Sequence, residues 1–190
     1  MTARWVVDVV QPERDLEITW QPISLLRKND PAPESKYFAA VDKTHNMLRV
    51  MESLRKADGD QAFFEAYWEF ATRIHHDGDR DFDLAEALTV AGLDPAHAEA
   101  ATDDAFDSVI AGRMDAGLAL VGDDVGTPII AMDDDNGDRV GMFGPVITRA
   151  PSGDAGLKLW DNFVGLIQVP GVWEIKRTRT EAPEFGERPS

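Results

Sequence analysis

Residues 121–145, VGDDVGTPIIAMDDDNGDRVGMFGP, decide the fold of this chain. They contain two short runs typical of strands, residues 128–132 and 138–143, joined by a turn that includes Asn136 and Gly137. Asn-Gly between strand-like runs is a strong hairpin signal, because a type I′ turn needs two residues that tolerate positive φ. The stretch therefore predicts a β-hairpin.

The loop in front of this hairpin ends in Thr127-Pro128. A proline lacks the backbone N–H, which is tolerated at the first position of a strand, and a Thr-Pro bond at this place is a candidate cis peptide. Gly122 and Gly126 give the loop a weak likeness to a phosphate loop, but it has no lysine and contains two aspartates. We therefore expect no phosphate site here.

The composition excludes several classes of protein. A formal net charge of −16 over 190 residues argues against binding to nucleic acid or to an anionic membrane, since both need a cationic surface. No apolar run approaches the roughly 20 residues of a membrane span, and the N-terminus has no signal-peptide pattern. There is no cysteine, so these residues cannot supply a disulfide or a thiolate. We expect a cytoplasmic protein.

Helical patterns dominate the rest of the chain. Residues 3–10 predict a first helix, residues 11–14 a turn and residues 16–20 a half-buried strand, since apolar and polar residues alternate there. Further helices are predicted over residues 35–56, 61–76, 84–91, 96–120 with a break, and 155–167. The chain thus reads as an α/β domain with a helical insertion.

Metal sites are not predicted. The alternating aspartates of residues 77–83 and the triplet at residues 133–135 lack the glycine and glutamate spacing of a calcium loop. His75 and His76 are adjacent and point about 100° apart on a helix, so they do not share a metal-binding face. The one basic cluster, residues 176–179, is expected to pair with carboxylates of the chain itself.

Several short motifs, in order, resemble a known family. They are VGTP at residues 125–128, FGP at 143–145, LWD at 159–161 and EIKRTRTEAPEF at 174–185, together with ARWVVDV and ISLL near the start. The chain is similar to the DsbA-like thioredoxin-fold family, and within it to the actinobacterial mycothiol-dependent nitroreductases. The resemblance implies an α/β, thioredoxin-like fold with an inserted all-helical subdomain. It assigns residues 1–28 and 122–180 to the thioredoxin-like domain, 29–121 to the insertion and 181–190 to a disordered tail.

The same resemblance implies a thiol site. Thr127 and Pro128, with Val125 and Gly126, would form one wall, and Asn29 and Tyr37 would also line the pocket. A low-molecular-weight thiol, mycothiol or glutathione, would be the co-substrate without covalent attachment, and the second substrate would be an electrophile or a disulfide. A homodimer is left open.

The family's Cys-Pro-Trp-Cys motif and the strand before it are missing from this chain. No catalytic residue is therefore assigned, and we expect the chain as given to be redox-inactive. Our hypothesis is that the gene encodes a segment with this motif upstream of Met1, which the in-frame upstream codons would test. Without the first strand, neighbouring strands would expose their edges, close up, or borrow a strand from another molecule.

Two alternatives stay open. Kappa-class glutathione transferases and 2-hydroxychromene-2-carboxylate isomerases share the fold and use serine in place of the first cysteine. A non-catalytic thioredoxin-fold binding domain would keep the pocket without the chemistry. Whether the chain is an enzyme is therefore not decided by its sequence.

Overall fold

The chain is a mixed α/β protein, mostly helical with a two-stranded sheet, in a computed structural model that describes residues 1–186 and 188. In chain order its elements are α1 (three consecutive runs, Thr2–Trp5, the π-helical Val6–Val10, and Gln11–Arg14), α2 (Leu25–Asn29), α3 (Phe38–Asp58), α4 (Asp60–Thr72, continued by the π-helical Arg73–Asp77), α5 (Leu84–Val90), two 3₁₀ segments (Pro95–Thr102 and Asp104–Phe106), α6 (Asp107–Val121), β1 (Ile129–Asp133), β2 (Arg139–Phe143) and α7 (Gly153–Ile167). Across the described residues, no helix is long and apolar enough to cross a membrane.

Two compact units make up the chain. The first, here called the hairpin unit, comprises Met1–Ile18 and Ala116–Phe185, and the second, the helical unit, comprises Thr19–Asp115 and Gly186–Ser190. The predicted domain assignment of residues 1–28, 29–121 and 122–180 remains a prediction.

Helix α1 continues through residues 11–14, so the turn predicted there is wrong. The N–H of Gln11 bonds to the carbonyl of Val6, five residues back, and the next residue, Pro12, has no N–H to donate. This five-residue hydrogen bond of the π-helical run lies directly before Pro12, and the helix therefore continues past the proline. Asp15, with φ 47° and ψ 53°, then ends the helix in the left-handed conformation.

The strand predicted at residues 16–20 is absent from the sheet. The segment has no ladder partner among the described residues, although its side chains alternate as predicted. Leu16 and Ile18 pack against the core of the hairpin unit, whereas Trp20 packs against that of the helical unit. The alternation therefore reflects burial in two separate cores and no β-pairing.

Strands β1 and β2 pair antiparallel over their full lengths, which confirms the predicted hairpin. The N–H of Gly144 donates to the carbonyl of Pro128 at 2.8 Å, and the N–H of Asp134 donates to the carbonyl of Asp138 at 2.9 Å. Because hydrogen-bonded pairs alternate with non-bonded pairs in an antiparallel ladder, the even-numbered residues of β1 direct their peptide groups toward β2. The odd-numbered residues direct theirs toward the opposite edge.

The turn of the hairpin is not type I′. Gly137 has φ 85°, but Asn136 is not at positive φ. The N–H of Gly137 donates to the carbonyl of Asp134 at 2.9 Å, the pattern of a type I turn followed by a left-handed glycine. One carboxylate oxygen of Asp134 accepts the N–H groups of Asn136 and Asp138 at 2.8 and 2.9 Å. The carboxylate of Asp134 therefore stabilises this turn, and Asn136 does not need the positive φ that a type I′ turn requires.

Helices cover both faces of the hairpin within the hairpin unit. On one face, Ile130 and Met132 pack against a core that includes Trp5, Val10 and Trp160. The rings of Trp5 and Trp160 meet edge to face, with centroids 6.0 Å apart and planes at 61°, a favourable geometry for aromatic pairs.

The other face lies against the C-terminal end of α6. A Cβ placed on Gly141 would lie 2.8 Å from Cβ of Leu120, and one placed on Gly117 would lie 3.9 Å from a methyl carbon of Ile129. The strand can approach the helix this closely only because position 141 carries no side chain.

The helical unit is built on α3 and α4, which are joined by Gly59 alone, at φ 89° and ψ −173°. Their facing sides bury an apolar cluster whose members are Met47, Val50, Met51, Leu54, Ala62, Phe63, Ala66, Phe70, Phe82, Ala87 and Leu88. The two long helices predicted over residues 35–56 and 61–76 are thereby confirmed.

A charged cluster is buried beside this core. The guanidinium of Arg55 donates to the carboxylate of Glu52 and to the carbonyl of Trp20, and its Nε lies 2.7 Å from Oδ1 of Asp60. Its central carbon also lies 3.6 Å from the ring centroid of Phe63. Burial raises the pKa of Glu52 and lowers that of Arg55, so each charge depends on the other.

The part of the tail that belongs to the hairpin unit, up to Phe185, contacts Thr148 and Arg149 of that unit. Arg149 pairs with Glu184 at 2.6 Å and with Glu181 at 3.5 Å, and the N–H of Glu184 donates to the carbonyl of Thr148 at 2.8 Å. The disorder predicted for residues 181–190 remains a prediction, and residues 187, 189 and 190 lie outside the described part of the chain.

Two glycines of α7 provide a matched test of the packing. A Cβ on Gly156 would lie 2.7 Å from both the carbonyl oxygen of Pro151 and a methyl carbon of Val9, whereas one on Gly165 would meet nothing within 4 Å. Gly156→Ala should lower the free energy of unfolding by about 1–3 kcal/mol through overpacking. Gly165→Ala should raise it by about 0.5–1 kcal/mol through helix propensity. Urea denaturation measures both, and equal effects would contradict the close approach.

The buried charged cluster makes a second prediction. Arg55→Met removes the nearer cation from the buried Glu52 and leaves it Arg113, whose Nε lies 3.4 Å from Oε2, so the free energy of unfolding should fall by about 3–5 kcal/mol. In the control Lys43→Met, the lost partner Asp81 is 98% exposed, and the loss should be about 1 kcal/mol or less. Urea denaturation followed by tryptophan fluorescence compares the two, and similar losses would show that the Arg55 pair is not buried.

Candidate functional site

Four of the predicted site residues lie together in the loop between α6 and β1. Gly122, at φ 89°, ends α6, and its N–H donates to the carbonyl of Leu118 at 2.7 Å. Val125 and Gly126 are half-buried, and Thr127 is exposed directly before the half-buried Pro128.

The peptide bond between Thr127 and Pro128 is cis, as the sequence suggested, and so is the bond between Gly144 and Pro145 after β2. The hydrogen bond between Gly144 and Pro128 places these two segments side by side at one end of the hairpin. The buried hydroxyl of Thr2 donates to the carbonyl of Pro145 at 2.7 Å, which brings the start of α1 to the same end. Three chain segments therefore meet here.

This end of the hairpin offers backbone groups and little side-chain chemistry. The odd-numbered edge of β1 continues into Thr127, and no backbone hydrogen bond to Thr127 occurs within the described residues. A Cβ on Gly126 would lie in ordinary van der Waals contact, 4.0 Å from the ring of Phe143, so a small side chain could be placed there without a clash. Such a surface can pair with the amide groups of an extended ligand.

The other two predicted residues belong to the helical unit. Asn29 is the exposed last residue of α2. Tyr37 precedes α3, is 62% exposed, and has the ammonium group of Lys36 4.9 Å from its ring centroid. A pocket that joins these two residues to the loop remains a prediction.

The helical unit contains a serine–histidine–aspartate chain that sequence spacing did not reveal. Ser24 Oγ lies 2.9 Å from Nδ1 of His45, and Nε2 of His45 lies 3.0 Å from Oδ1 of Asp107. Arg49 donates to both oxygens of the same carboxylate at 2.7 and 2.8 Å. These residues are up to 83 positions apart, so no local motif could have indicated them.

The contacts of Ser24 give this serine–histidine–aspartate arrangement a structural role. Ser24 is 1% exposed, and its oxygen accepts the N–H of Arg27 as the N-cap of α2. With the Asp107 carboxylate accepting from Nε2 of a neutral His45, Nδ1 accepts the serine hydroxyl proton and every group is satisfied. The arrangement holds a helix cap and offers no accessible nucleophile.

A second serine–histidine contact lines an open groove of about 410 Å³ in the same unit. Ser53 Oγ lies 2.7 Å from Nδ1 of His97, whereas Oδ2 of Asp58 is 3.9 Å from Nε2, beyond hydrogen-bonding distance. Without an acid bonded to the histidine, the pair serves to tie the 3₁₀ segment to α3.

Two other sequence expectations concern charged residues. Within residues 1–186 and 188, no group of histidines and carboxylates has the geometry to hold a metal ion. The predicted pairing of the basic cluster with the chain's own carboxylates is wrong for the described residues, because the exposed Lys176, Arg177 and Arg179 have no carboxylate within 4.0 Å there.

The Asp107 carboxylate predicts a pH dependence. Its hydrogen bonds from Arg49, and then from His45, hold the pKa of Asp107 below its usual range. A lowered folded pKa gives stability that is present above the ordinary carboxyl pKa of about 4 and is lost as the pH falls through the folded value. Asp107→Asn should therefore lose less free energy of unfolding between about pH 5 and pH 3 than the parent protein.

Asp81→Asn is the control, because that exposed carboxylate contacts Lys43 at the surface and should leave the profile unchanged. Urea denaturation at a series of pH values measures all three proteins. Parallel profiles for the parent and Asp107→Asn would contradict a lowered pKa of Asp107 in the folded protein.

The sequence profile of the family described as "Rv2466c-like: Mycothiol-dependent nitroreductase Rv2466c" matches residues 1–177 of this chain. The chain is also 27% identical over 188 residues to "Uncharacterized protein Rv2286c" of Mycobacterium tuberculosis (strain ATCC 25618 / H37Rv). That alignment covers 95% of this chain and 77% of the relative.

Proposed function

The chain belongs to the Rv2466c-like family of mycothiol-dependent nitroreductases, and we propose that its own residues bind the low-molecular-weight thiol without supplying the redox sulfur. The observation that carries this proposal is a family match over residues 1–177 in a chain that has no cysteine. Thiol–disulfide chemistry needs a thiolate, and because this chain has no cysteine, its residues would bind the thiol without turning over a substrate. Mycothiol is the proposed thiol, and glutathione is the alternative.

The proposed fold is thioredoxin-like, of the DsbA-like kind with a helical insertion. Two features support it: the sheet of the hairpin unit lies between helices on both faces, and a mainly helical unit lies between α1 and the hairpin in sequence. An antiparallel hairpin followed by a helix such as α7 is the order that the resemblance implies.

The proposed binding surface is the loop of residues 125–128. The backbone of Thr127 would pair with the amide groups of the thiol, while Val125, Gly126 and Pro128 form the wall against which it lies. Asn29 and Tyr37 are proposed to contact the thiol or the electrophilic substrate. This function fits the cytoplasm, where low-molecular-weight thiols are kept reduced.

A non-catalytic thioredoxin-fold binding domain is the second candidate, and the absence of cysteine favours it. The two candidates share the thiol site, and both predict no turnover by the residues of this chain. The kappa-class transferase and isomerase chemistry would need a serine in place of the first cysteine, and no serine of this chain is assigned to that role.

Titration of the 190-residue chain with mycothiol tests the proposal. Calorimetry should show saturable binding, and reduction of a nitroaromatic compound by mycothiol should be no faster with the protein than without it. Gly126→Val should weaken binding by about tenfold, because its methyl groups would stand beside Phe143 on the surface proposed to hold the thiol.

Gly165→Ala, on the unobstructed part of α7, is the control for binding. Failure of mycothiol to bind, or equal affinity of the Gly126→Val variant with an unchanged melting temperature, would refute the site. Turnover above the thiol alone would refute the assignment as a binding domain without redox chemistry. Glutathione titrated in parallel distinguishes the two thiols.

A further inference from the structure

The turn of the hairpin contains an asparagine that is chemically reactive in an unrestrained chain. In an Asn-Gly pair, the glycine nitrogen can attack the side-chain amide carbon of the asparagine, because glycine has no Cβ to hinder the approach. Asn136 and Gly137 form such a pair, and both are exposed. The turn lies at the opposite end of β1 from Pro128 and the loop proposed to bind the thiol.

The other three asparagines of the chain lack this combination. Asn46 and Asn162 lie inside α3 and α7, and each precedes a bulky apolar residue. Asn29 precedes an aspartate, Asp30, whose N–H donates to the carbonyl of Leu26 at 3.0 Å. Asn136 is therefore the only asparagine of the sequence that is followed by glycine.

The folded turn restrains the two nitrogen atoms that this reaction uses. The N–H of Gly137 donates to the carbonyl of Asp134 at 2.9 Å, and Nδ2 of Asn136 donates to Oδ2 of the same aspartate at 3.4 Å. The first bond holds the proton that has to leave the attacking nitrogen, and the second holds the nitrogen that has to depart. Both bonds end on Asp134.

The carboxylate of Asp134 also holds the backbone of the turn. Its Oδ1 accepts the N–H groups of Asn136 and Asp138 at 2.8 and 2.9 Å. The bond from Asp138, and then that from Asn136, hold the pKa of Asp134 below its ordinary value, so this carboxylate is ionised at neutral pH. A single side chain thus keeps the turn closed around the reactive pair.

A residue outside the turn ties it to α7. The N–H of Asp135 donates to Oε1 of Gln168 at 3.2 Å, and Nε2 of Gln168 donates to the carbonyl of Asp133 at 3.4 Å. Gln168 directly follows the last residue of α7. Opening of the turn therefore breaks bonds to Asp134 on one side and to Gln168 on the other.

We propose that Asn136 is a site of spontaneous deamidation and that Asp134 controls its rate by holding the turn closed. When the turn opens, a base takes the proton of the Gly137 nitrogen, this nitrogen bonds to Cγ of Asn136, and the bond from Cγ to Nδ2 breaks to release ammonia. Water then adds to either carbonyl of the cyclic imide and gives aspartate or isoaspartate. The net reaction consumes water and releases ammonia in equal amounts, without a cofactor or an electron acceptor.

The product changes the hairpin. A carboxylate at position 136 replaces the amide that now donates to Asp134, so two negative charges face each other across the turn. Isoaspartate also adds a carbon atom to the backbone, which disturbs the pairing of Asp133 with Arg139 at the end of the ladder. Because the ammonia is lost, the change is permanent.

Peptide mapping by mass spectrometry, during incubation of the full chain in neutral buffer, tests the proposal. The synthetic peptide of residues 130–140, IAMDDDNGDRV, is the unrestrained reference. Asn136 should deamidate in both, but about fivefold or more slowly in the protein, because at least one hydrogen bond has to break first. The helical Asn46 and Asn162 should remain intact over the same time.

Variants at neighbouring aspartates separate hydrogen bonding from charge. Asp134→Ala should speed deamidation of the protein by about fivefold, and Asp134→Ser, which keeps an oxygen that accepts an N–H, should lie between it and the parent. Asp135→Ala is the matched control, because it removes the same charge beside Asn136 and the Asp135 carboxylate has no hydrogen bond within the described residues. Its rate should equal that of the parent.

Hydrogen exchange at the amide of Gly137 measures the same opening and should rise in step with the deamidation rate. Where Asp134→Ala lowers the melting temperature, Asp134→Ser and Gln168→Ala carry the comparison, and both should still exceed the parent. Equal rates in protein and peptide would overturn the proposal, as would an intact Asn136 after the peptide has fully reacted. Equal rates for Asp134→Ala and Asp135→Ala would do so too, because charge would then explain the effect.

Discussion

The helical unit depends on one buried guanidinium. Arg55 binds the carboxylate of Glu52 on its own helix and the carbonyl of Trp20 on the extended segment before α2. The ring of Trp20 stacks on Phe64 and Tyr67 of α4, with centroids 5.3 and 5.6 Å away. One cation thus joins a backbone carbonyl, α3 and the aromatic face of α4, and because it is buried, its removal would leave the Trp20 carbonyl and the Glu52 carboxylate short of a donor.

In the hairpin unit, glycines determine how closely the strands and helices approach one another. Gly141 lets β2 approach Leu120, and Gly156 lets α7 approach Val9 and the carbonyl of Pro151. Because the described residues form a sheet of two strands, pairing alone gives it little stability, and these helix contacts on both faces provide most of its support. The same small sheet leaves Thr127 without a backbone hydrogen bond among the described residues, and the proposed thiol-binding surface would use these free backbone groups.

Local patterns predicted the parts of the fold that local interactions determine. The hairpin, the two long helices and the loop that ends in Thr127-Pro128 follow from turn residues and apolar spacing. The absence of a strand at residues 16–20 could not be predicted from sequence. Alternating apolar and polar residues indicate which side chains are buried, but they do not show whether a neighbouring strand is present. The turn type could not be predicted from the Asn-Gly dipeptide alone, because the carboxylate of Asp134 takes the place of a second left-handed residue. The contacts of Ser24 with His45, and of His45 with Asp107, join residues 21 and 62 positions apart, and only the folded chain brings them together.

The single residue between α3 and α4 has an evolutionary consequence. Gly59 is the whole connection, so the rotational phase of α4 is set directly by that of α3. One residue inserted in helical conformation at the start of α4 would rotate the rest of that helix by about 100°, and four would come within about 40° of a full turn. Such an insertion would turn Phe63 and Phe70 outward and bring polar side chains to the core. We therefore expect related chains to vary this joint by substitution, with length changes confined to the loops on either side of α5.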